Sequence, residues 1–368
     1  MSQQELSDKA LRFSRALDAY PACFRGNPLQ LLYLDDARPI LQGRDYLAQL
    51  HGPGLVEEKR EYCLDSSVDW PFPSHHLAGR PDPWSLSLKL FENFELARRV
   101  LIKQSDVASL IESHALRVRA DTVVLVIVDG LSYFDLSEEL DAQPCLVDGV
   151  TTTEHGYRAI VGDPSLSRRL FARGYVNQIA FTYYSIEGNE LAGDIHDTFA
   201  PSHVERVKSF QEILASAERL RVGKAYVQVT LSGLDQLCHA HHDRPPVSYY
   251  RDQVLYRFGS LIDTLSLSRR RVLGVLCADH GILWRDELES RLKIIEDLHS
   301  EDARWPRYIR GSFLRSYGLN CQVHGHNYTL FCVPYMTRAF RNNEWGVHGG
   351  LSAWESIVPL IVREPEEA

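Results

Sequence analysis

The sequence predicts an α/β protein built on a mostly parallel central sheet flanked by helices. Two observations lead to this prediction: short, continuous apolar runs rich in β-branched residues recur from residue 121 onward, and helical segments separate them. Continuous apolar runs are typical of strands that are buried on both faces, as in parallel sheets covered by helices. In such sheets the ligand site lies at the carboxyl ends of the strands, and each motif below is tested against that rule.

Taken in chain order, the predicted elements divide the chain into two regions. Residues 1–118 form a helical N-terminal region, with helical periodicity over 6–17 and 86–101 and a Pro- and His-containing loop over 69–84. Residues 119–368 form the larger domain, which includes an insertion over about 282–345; the resemblance described below implies that this insertion caps the site. Its predicted strands are 123–128, 178–183, 225–231, 272–277, 330–333 and 357–362, and its predicted helices include 165–174 and 204–220.

Composition limits the class of protein. The net charge of −9 argues against sequence-independent wrapping of DNA, which needs a basic surface. Seven scattered cysteines favour reduced thiols over a disulfide framework. The N-terminal sequence does not resemble a signal peptide, and the longest strongly apolar run, 123–128, is too short to cross a bilayer. We therefore expect a soluble, cytoplasmic protein without membrane association.

Acidic and imidazole side chains follow two of the predicted strands. Asp129 and Gly130 come after the run 123–128, and Asp279 and His280 follow the run 272–277. Each position has a plain structural alternative, because a carboxylate at a strand end often caps a helix or closes a polar turn. Alternatively, these side chains form a ligand site at the carboxyl ends of the strands.

Two further motifs supply imidazole groups. Asp235 and His239 are four residues apart, a spacing that places both side chains on one face of a helix. His348 precedes two glycines, which allow the backbone to approach a site closely. A polar surface patch and a glycine turn are the respective structural alternatives.

Three consecutive threonines, Thr151 to Thr153, precede a predicted helix that ends near Gly162. A hydroxyl at a helix N-terminus lies among unpaired N–H groups, which favours a bound anion such as phosphate. N-capping by threonine is the structural alternative.

Taken together, the motifs supply two balanced ligand sets for metals. One set is Asp235, His239 and His348; the other is Asp129, Asp279 and His280 with a threonine oxygen. Mixed imidazole and carboxylate ligands suit zinc, with manganese or iron as alternatives. Two metals about 4 Å apart activate a nucleophile at one ion and stabilise the leaving oxygen at the other.

The order and spacing of these motifs resembles the alkaline phosphatase superfamily. The segment HGGLSxxExxVP that begins at His348 is most similar to the PglZ-domain branch, as are the DGxS entry from Asp129 to Ser132 and the threonine-rich segment that ends at Gly162. The resemblance covers about residues 121–365. It implies an alkaline-phosphatase-like fold and two Zn²⁺ ions, with Mn²⁺ as the alternative, on the six ligands named above.

The resemblance also implies a nucleophile. Counting back from Gly162 places the reactive hydroxyl at Thr152, although the segment is one residue shorter than in the family, so Thr151 and Thr153 stay open as alternatives. Arg158 and the helix N-terminus near Thr153 are the candidate donors to the phosphate oxygens. The sulfatase context Cys-x-Pro-x-Arg does not occur.

The cap insertion carries aromatic and histidine side chains that suggest a substrate. Its rings favour stacking on bases, or else they form the insertion's own small core. His324 and His326 are candidate substrate-binding residues whose alternating spacing would also allow them to reach a metal, with a polar loop as the alternative.

Together with these observations, the resemblance implies a zinc-dependent phosphodiesterase that acts on nucleotides or oligonucleotides, possible cyclic ones included, through a phosphothreonine intermediate. The PglZ resemblance implies a role in phage defence (BREX-type relatives) or signalling, with protein partners of a defence system. Two alternatives remain: a phosphomonoesterase, or a metal-stabilised recruiting subunit of a defence complex that acts through its N-terminal region.

Overall fold

The computed structural model describes residues 27–33, 79–138, 140–183, 205–207, 215, 223–232, 234–240, 245–267, 270–296, 298, 304–312 and 316–365. The chain divides into two compact units, one of residues 83–94 and 102–368 and one of residues 1–82 and 95–101. All predicted site residues belong to the first unit. In the second, the described structure comprises a 3₁₀ helix at Pro28–Tyr33 and most of one short α-helix.

Nine α-helices and fifteen strands occur in the described residues. The helices are α1 Pro83–Glu92, α2 Phe94–Val100, α3 Gln104–Arg117, α4 Thr153–Val161, α5 Leu166–Ala172, α6 Leu234–Ala240, α7 Val247–Ser266, α8 Arg285–Leu288 and α9 Ala353–Ser356. The strands are β1 Ile102–Lys103, β2 Thr122–Asp129, β3 Gln143–Leu146, β4 Asn177–Tyr183, β5 Glu205–Val207, β6 Ala225–Ser232, β7 Val272–Ala278, β8 Leu283–Trp284, β9 Lys293–Ile294, β10 Tyr308–Arg310, β11 Gly318–Val323, β12 His326–Phe331, β13 Tyr335–Met336, β14 Gly346–Val347 and β15 Ile357–Arg363.

The predicted fold class is confirmed. An eight-stranded sheet has the order β1-β3-β15-β7-β2-β6-β4-β5, and every neighbouring pair except those of β15 is parallel. β15 runs antiparallel to both β3 and β7. An apolar run shows that a strand is buried but not which way it points, so the sequence could not predict the reversal.

Strand β2 forms the middle of this sheet because its side chains suit burial on both faces. The side chains of Thr122 to Val128 are buried, and β2 pairs with β6 on one side and β7 on the other. Since β2, β6 and β7 are parallel, their carboxyl ends lie at one edge. Asp129, Ser232 and Asp279 come at or just after these ends, where the sequence predicted a ligand site.

Two predicted elements are corrected by the structure. The run 330–333 belongs only in part to a strand, β12, and that strand lies outside the central sheet in a separate antiparallel sheet of order β10-β12-β11. The segment predicted as a helix over 204–220 begins instead with strand β5, which pairs with β4. Val204 and Val207 are three residues apart, a helical spacing, so the local pattern gives no sign of this strand.

Some predictions for the N-terminal region fall outside the described residues, namely the helix at 6–17 and most of the loop at 69–84. The helical pattern over 86–101 is present as α1 and α2, which are separated at Asn93. Strand β1 joins the central sheet through β3. In the described parts of the chain, no helix has both the length and the apolar character that crossing a membrane requires.

The insertion is held to the rest of its unit by a buried ion pair. Arg307 and Glu355 are both fully buried, and the guanidinium donates to both carboxylate oxygens at 2.9 to 3.2 Å. Glu355 also accepts from the Gly350 N–H at 2.9 Å and from the Ser352 hydroxyl at 2.6 Å. This glutamate therefore fixes the loop that follows His348 against the insertion.

Candidate metal centre

The first group of ligands, which we call the inner cluster, consists of Asp129, Asp279 and His280. One ligand atom from each lies within 4.8 Å of the others. His280 Nε2 is 3.4 Å from Asp129 Oδ1 and 3.8 Å from Asp279 Oδ1. Asp129 ends β2, and Asp279 and His280 follow β7, so the pairing of these two strands brings the three side chains together.

Backbone groups orient the inner cluster. Asp279 Oδ1 accepts from the N–H groups of Gly130 at 3.1 Å and His280 at 2.7 Å. His280 Nδ1 lies 3.1 Å from the Gly281 carbonyl oxygen, so Nδ1 carries the proton and Nε2 presents its lone pair. Gly130 turns the chain with φ +75°, and a Cβ there would lie 2.9 Å from Asp235 N. Only glycine allows this approach.

Asp279 and His280 of the inner cluster are fully buried, and their surroundings shift the pKa of each. Burial raises the pKa of Asp279 to about 8, and the charge of Asp129 adds to the rise while His280 opposes it. Burial would lower the pKa of His280, but the charge of Asp279 and the hydrogen bond with Asp129 raise it to about 10. Burial favours a proton on Asp279, and the neighbouring carboxylates favour one on His280; a cation at this position would replace these protons.

The second group, the outer cluster, consists of Asp235, His239 and His348, whose ligand atoms also lie within 4.8 Å of one another. Asp235 Oδ1 is 3.1 Å from His348 Nε2 and 3.4 Å from His239 Nε2. Asp235 and His239 are on one face of α6, as their spacing predicted. His348 Nδ1 donates to the Thr151 carbonyl oxygen at 3.0 Å, which leaves its Nε2 facing Asp235.

The outer cluster is more open than the inner one. The side chain of His239 is 41% exposed, whereas those of Asp279 and His280 are 0% exposed. Burial would raise the pKa of Asp235, but the His348 charge and the hydrogen bond with His239 hold it well below its usual range. The same contact with Asp235 outweighs the effect of burial and raises the pKa of His239.

The two clusters adjoin through stacked imidazole rings. The ring centroids of His280 and His348 are 4.2 Å apart, with an angle of 19° between the planes. The rings of His239 and His348 are 5.7 Å apart. All six predicted ligands therefore lie in one continuous site, arranged as two neighbouring sets of three.

The chemistry of this site fits metal ions. Asp279 Oδ2 is buried and has no hydrogen-bond partner within the described residues, an expensive arrangement for a carboxylate oxygen unless a cation binds it. His280 and His348 each use Nδ1 for a carbonyl and keep Nε2 for a ligand bond, as metal-binding histidines do. Nitrogen and carboxylate donors in sets of three suit zinc with a position left open for substrate.

The three threonines have different surroundings. Thr153 Oγ1 lies 3.3 Å from both Asp129 Oδ1 and His280 Nε2. Thr152 Oγ1 lies 2.7 Å from His155 Nδ1 instead. Thr151 is buried, where its hydroxyl donates to the Gly350 carbonyl and accepts from the Gly349 N–H. The geometry thus brings Thr153, rather than the predicted Thr152, to the inner cluster.

Helix α4 has a fixed position against the inner cluster. A Cβ at Gly156 would lie 1.8 Å from the Asp279 carbonyl oxygen, so the helix backbone packs directly on that carbonyl. The buried Gln104 donates from Nε2 to the carbonyl oxygens of Ala278 and Asp279, both at 2.7 Å. The sequence analysis missed Gln104 because glutamine at the start of a helix carries no motif. Its only signal is a polar residue at a buried helical position.

The remaining predicted site residues lie farther along α4 and in the insertion. Arg158 forms an ion pair with Glu154, one turn earlier in α4, at 3.1 Å. His324 lies in the turn between β11 and β12, and its ring stacks with that of His155 at 6.2 Å. His326 is an exposed residue at the start of β12. The structure therefore brings His324 to the threonine segment.

Comparisons with known proteins return distant structural similarities only. No protein-family model matches the chain, and no curated protein matches it. Similar solved structures include phosphonoacetate hydrolase from Sinorhizobium meliloti 1021 with phosphonoformate (12% identity, TM-score 0.39, 65% of this chain and 89% of that chain). Others are inactive murine ectonucleotide pyrophosphatase/phosphodiesterase 5 with AMP (13%, 0.37, 65% and 87%) and the C-terminal periplasmic domain of EptC from Escherichia coli with Zn (13%, 0.28, 45% and 64%). At these TM-scores the similarity assigns no activity to this chain.

Proposed function

We propose that this protein is a zinc-dependent phosphodiesterase that acts on nucleotides or oligonucleotides through a phosphothreonine intermediate. One observation carries the proposal: Thr153 Oγ1 lies 3.3 Å from a ligand atom of Asp129 and from one of His280, at the edge of a site with six metal-ligating side chains. A hydroxyl in that place is the nucleophile that phosphoryl transfer needs.

The six candidate ligands form two sets of three, and each set would hold one metal ion. Asp129, Asp279 and His280 would hold one, and Asp235, His239 and His348 would hold the other. When bound, such ions lower the pKa of a neighbouring hydroxyl and offset the charge of a phosphate. Mn²⁺ is the alternative to Zn²⁺ for the same donors.

The residues of this chain then account for the two halves of the reaction. The Thr153 hydroxyl donates to Asp129 Oδ1, which is the direction in which its proton departs. Its oxygen attacks phosphorus, and the bond from phosphorus to the leaving alcohol breaks as that alcohol takes up a proton. Water then attacks the phosphothreonine, breaks its phosphorus–oxygen bond and restores the Thr153 hydroxyl.

Helix α4 contributes to binding the phosphate. Thr153 is its first residue, so the N–H groups of the first turn have no partner within the helix and can donate to non-bridging oxygens. Arg158 forms an ion pair with Glu154, which offsets the positive charge that Arg158 would otherwise present to a phosphate. A phosphate monoester, with two negative charges, needs more compensation than a diester, so we favour the diester over the phosphomonoesterase alternative.

A comparison of two threonine variants tests the nucleophile. We expect Thr153→Ala to reduce kcat for bis-p-nitrophenyl phosphate by at least about 10⁴-fold, as for removal of a nucleophile, and Thr152→Ala to cost less than about tenfold. Metal content is measured on each protein, and p-nitrophenyl phosphate serves as the monoester comparison. If Thr152→Ala abolishes turnover and Thr153→Ala does not, the nucleophile is Thr152.

The other outcomes separate the alternatives. Monoester preference would keep the site and change the substrate class. Bound metal without hydrolysis of either ester would favour the recruiting subunit, and absence of metal would overturn the proposal. The role in phage defence or signalling, with protein partners, is proposed from the motif resemblance alone and is tested by co-purification from the native host.

A further inference from the structure

The ring of His155 connects the threonine segment with the tip of the β11–β12 hairpin. Its Nδ1 lies 2.7 Å from the Thr152 hydroxyl oxygen, next to Thr153. Its face stacks with His324, with ring centroids 6.2 Å apart and an angle of 23° between the planes. The ring of Tyr328 meets it edge-on at 5.3 Å. A histidine pair therefore borders the site where the proposed nucleophile lies.

Two buried tyrosines support this pair from behind. Tyr328 is 4% exposed and lies 6.1 Å from Tyr308, which is 7% exposed. Trp305 stacks on Tyr308 at 5.6 Å. Because the tyrosines are buried, they position the hairpin, whereas His324 is open to solvent and free to contact a ligand.

The backbone at His324 indicates that its ring serves a purpose other than the turn. His324 has φ +50° and Gly325 has φ +80°, so a two-residue turn with both residues in the left-handed region joins β11 to β12. Asn-Gly is the preferred pair for such a turn, and a histidine there adopts a less favourable conformation. A residue other than glycine in the left-handed region beside a site is a candidate for function.

The pair offers a flat aromatic surface. His324 is exposed, its ring is nearly parallel to that of His155, and the buried Tyr328 supports His155 from its edge. Such a surface suits stacking with another aromatic ring.

We propose that His324, supported by His155, forms a stacking subsite for the nucleobase of the substrate. This inference rests on the proposed phosphodiesterase function and names the side chain that recognises the nucleoside part of its substrate. Stacking is tolerant of base identity because every base has a π face, so the subsite selects nucleosides over alkyl groups without reading sequence.

A kinetic comparison tests the subsite with two esters that share a leaving group, thymidine 5′-(4-nitrophenyl phosphate) and methyl 4-nitrophenyl phosphate. The variant His324→Asn removes the ring while it supplies the preferred Asn-Gly turn, so folding is preserved. We expect kcat/KM for the thymidine ester to fall about 5- to 100-fold, mainly through KM, and that for the methyl ester to change less than about twofold.

Two further variants complete the design. His324→Phe keeps a ring without ring nitrogens, and we expect it to retain the thymidine preference. Gln322→Ala is the matched control, since Gln322 is exposed in the same hairpin on the face of β11 opposite Val323, and we expect it to leave both rates unchanged. Equal losses for both esters in His324→Asn, or no loss for the thymidine ester, would overturn the subsite.

A binding measurement separates failure of the subsite from failure of the proposed activity. Calorimetric titration of the parent with thymidine 5′-monophosphate and with ribose 5-phosphate needs no turnover. We expect the parent to bind the nucleotide more tightly and His324→Asn to lose that difference. If neither ester is hydrolysed but the preference and its loss are observed, the subsite stands and the proposed activity fails. If the parent binds both phosphates equally, the subsite fails.

Discussion

The inner and outer clusters offer the same number of ligands but are constructed differently. The inner cluster is formed by the ends of two paired strands, and its Asp279 and His280 are fully buried and oriented by backbone groups. The outer cluster combines a short helix with a loop more than a hundred residues away, and its His239 is 41% exposed. Residue type and spacing therefore identify the candidate ligands, whereas the burial and hydrogen-bond partners of each one are set by contacts between distant segments.

The largest effect that separates the clusters is expected from Asp279→Ala. Its buried Oδ2 has no hydrogen-bond partner in the part of the chain that the structure describes and would bind the proposed inner ion, so we expect kcat to fall by more than about 1000-fold and metal content to fall by one ion per chain. Metal analysis and bis-p-nitrophenyl phosphate hydrolysis check this result. Asp252→Ala, at an exposed carboxylate, is the control. Retention of both ions would show that Asp279 is a structural residue.

The second largest effect is expected at the loop that follows His348, one of the three residues of the outer cluster. Glu355→Gln leaves Arg307 buried without its counter-charge, and we expect the free energy of unfolding to fall by about 3–5 kcal/mol. Urea denaturation measures the change. Glu289→Gln, which breaks the exposed pair with Arg285, serves as control and should change stability by less than about 1 kcal/mol. A similar cost for both variants would contradict a special role for the buried pair.

The variant His239→Ala tests whether the outer cluster loses and regains its metal ion more readily than the inner cluster. Because His239 is the most exposed ligand, we expect a loss of about 10- to 100-fold in activity at limiting zinc that excess zinc restores in large part. Titration of activity with zinc gives the apparent affinity. Asp279→Ala should show no such recovery. If zinc rescues neither variant or both equally, the two positions do not differ in the way their burial indicates.

The smallest effect is a pH-dependent one near the outer cluster. Burial would raise the pKa of Glu344, but hydrogen bonds from Arg338 and from the Arg341 N–H hold it below its usual value. A carboxylate whose pKa is lowered by folding stabilises the protein above its ordinary pKa and ceases to do so as the pH falls through the folded value. We expect Glu344→Gln to cost roughly 1–2 kcal/mol at pH 7 and progressively less below about pH 4. Chemical denaturation at several pH values tests this, and a cost that is independent of pH would refute it.

The sequence was sufficient for the parts of the site that depend on local pattern. Apolar runs placed Asp129 and Asp279 at strand ends, and the spacing of Asp235 and His239 put them on one helical face. The direction of β15 and the partnership of Arg307 with Glu355 depend on contacts between distant segments, which no local pattern reports.

To choose among the three threonines, one must know the first residue of helix α4 without an error of even one position. Thr152 is the N-cap of α4 and Thr153 its first residue, so their hydroxyls point to different partners. Three identical residues in a row give no signal for where the helix begins. Counting back from Gly162 therefore selected Thr152, whereas the hydroxyl that lies at the inner cluster is that of Thr153.

The packing of Gly156 on the Asp279 carbonyl has a consequence for changes in chain length. Because no side chain fits between them, helix α4 cannot shift by one residue along its axis. Such a shift would be needed to bring the Thr152 hydroxyl to the position of the Thr153 hydroxyl. A change of chain length before α4 would therefore have to be accommodated between residues 147 and 151, where Val150 and Thr151 are themselves buried.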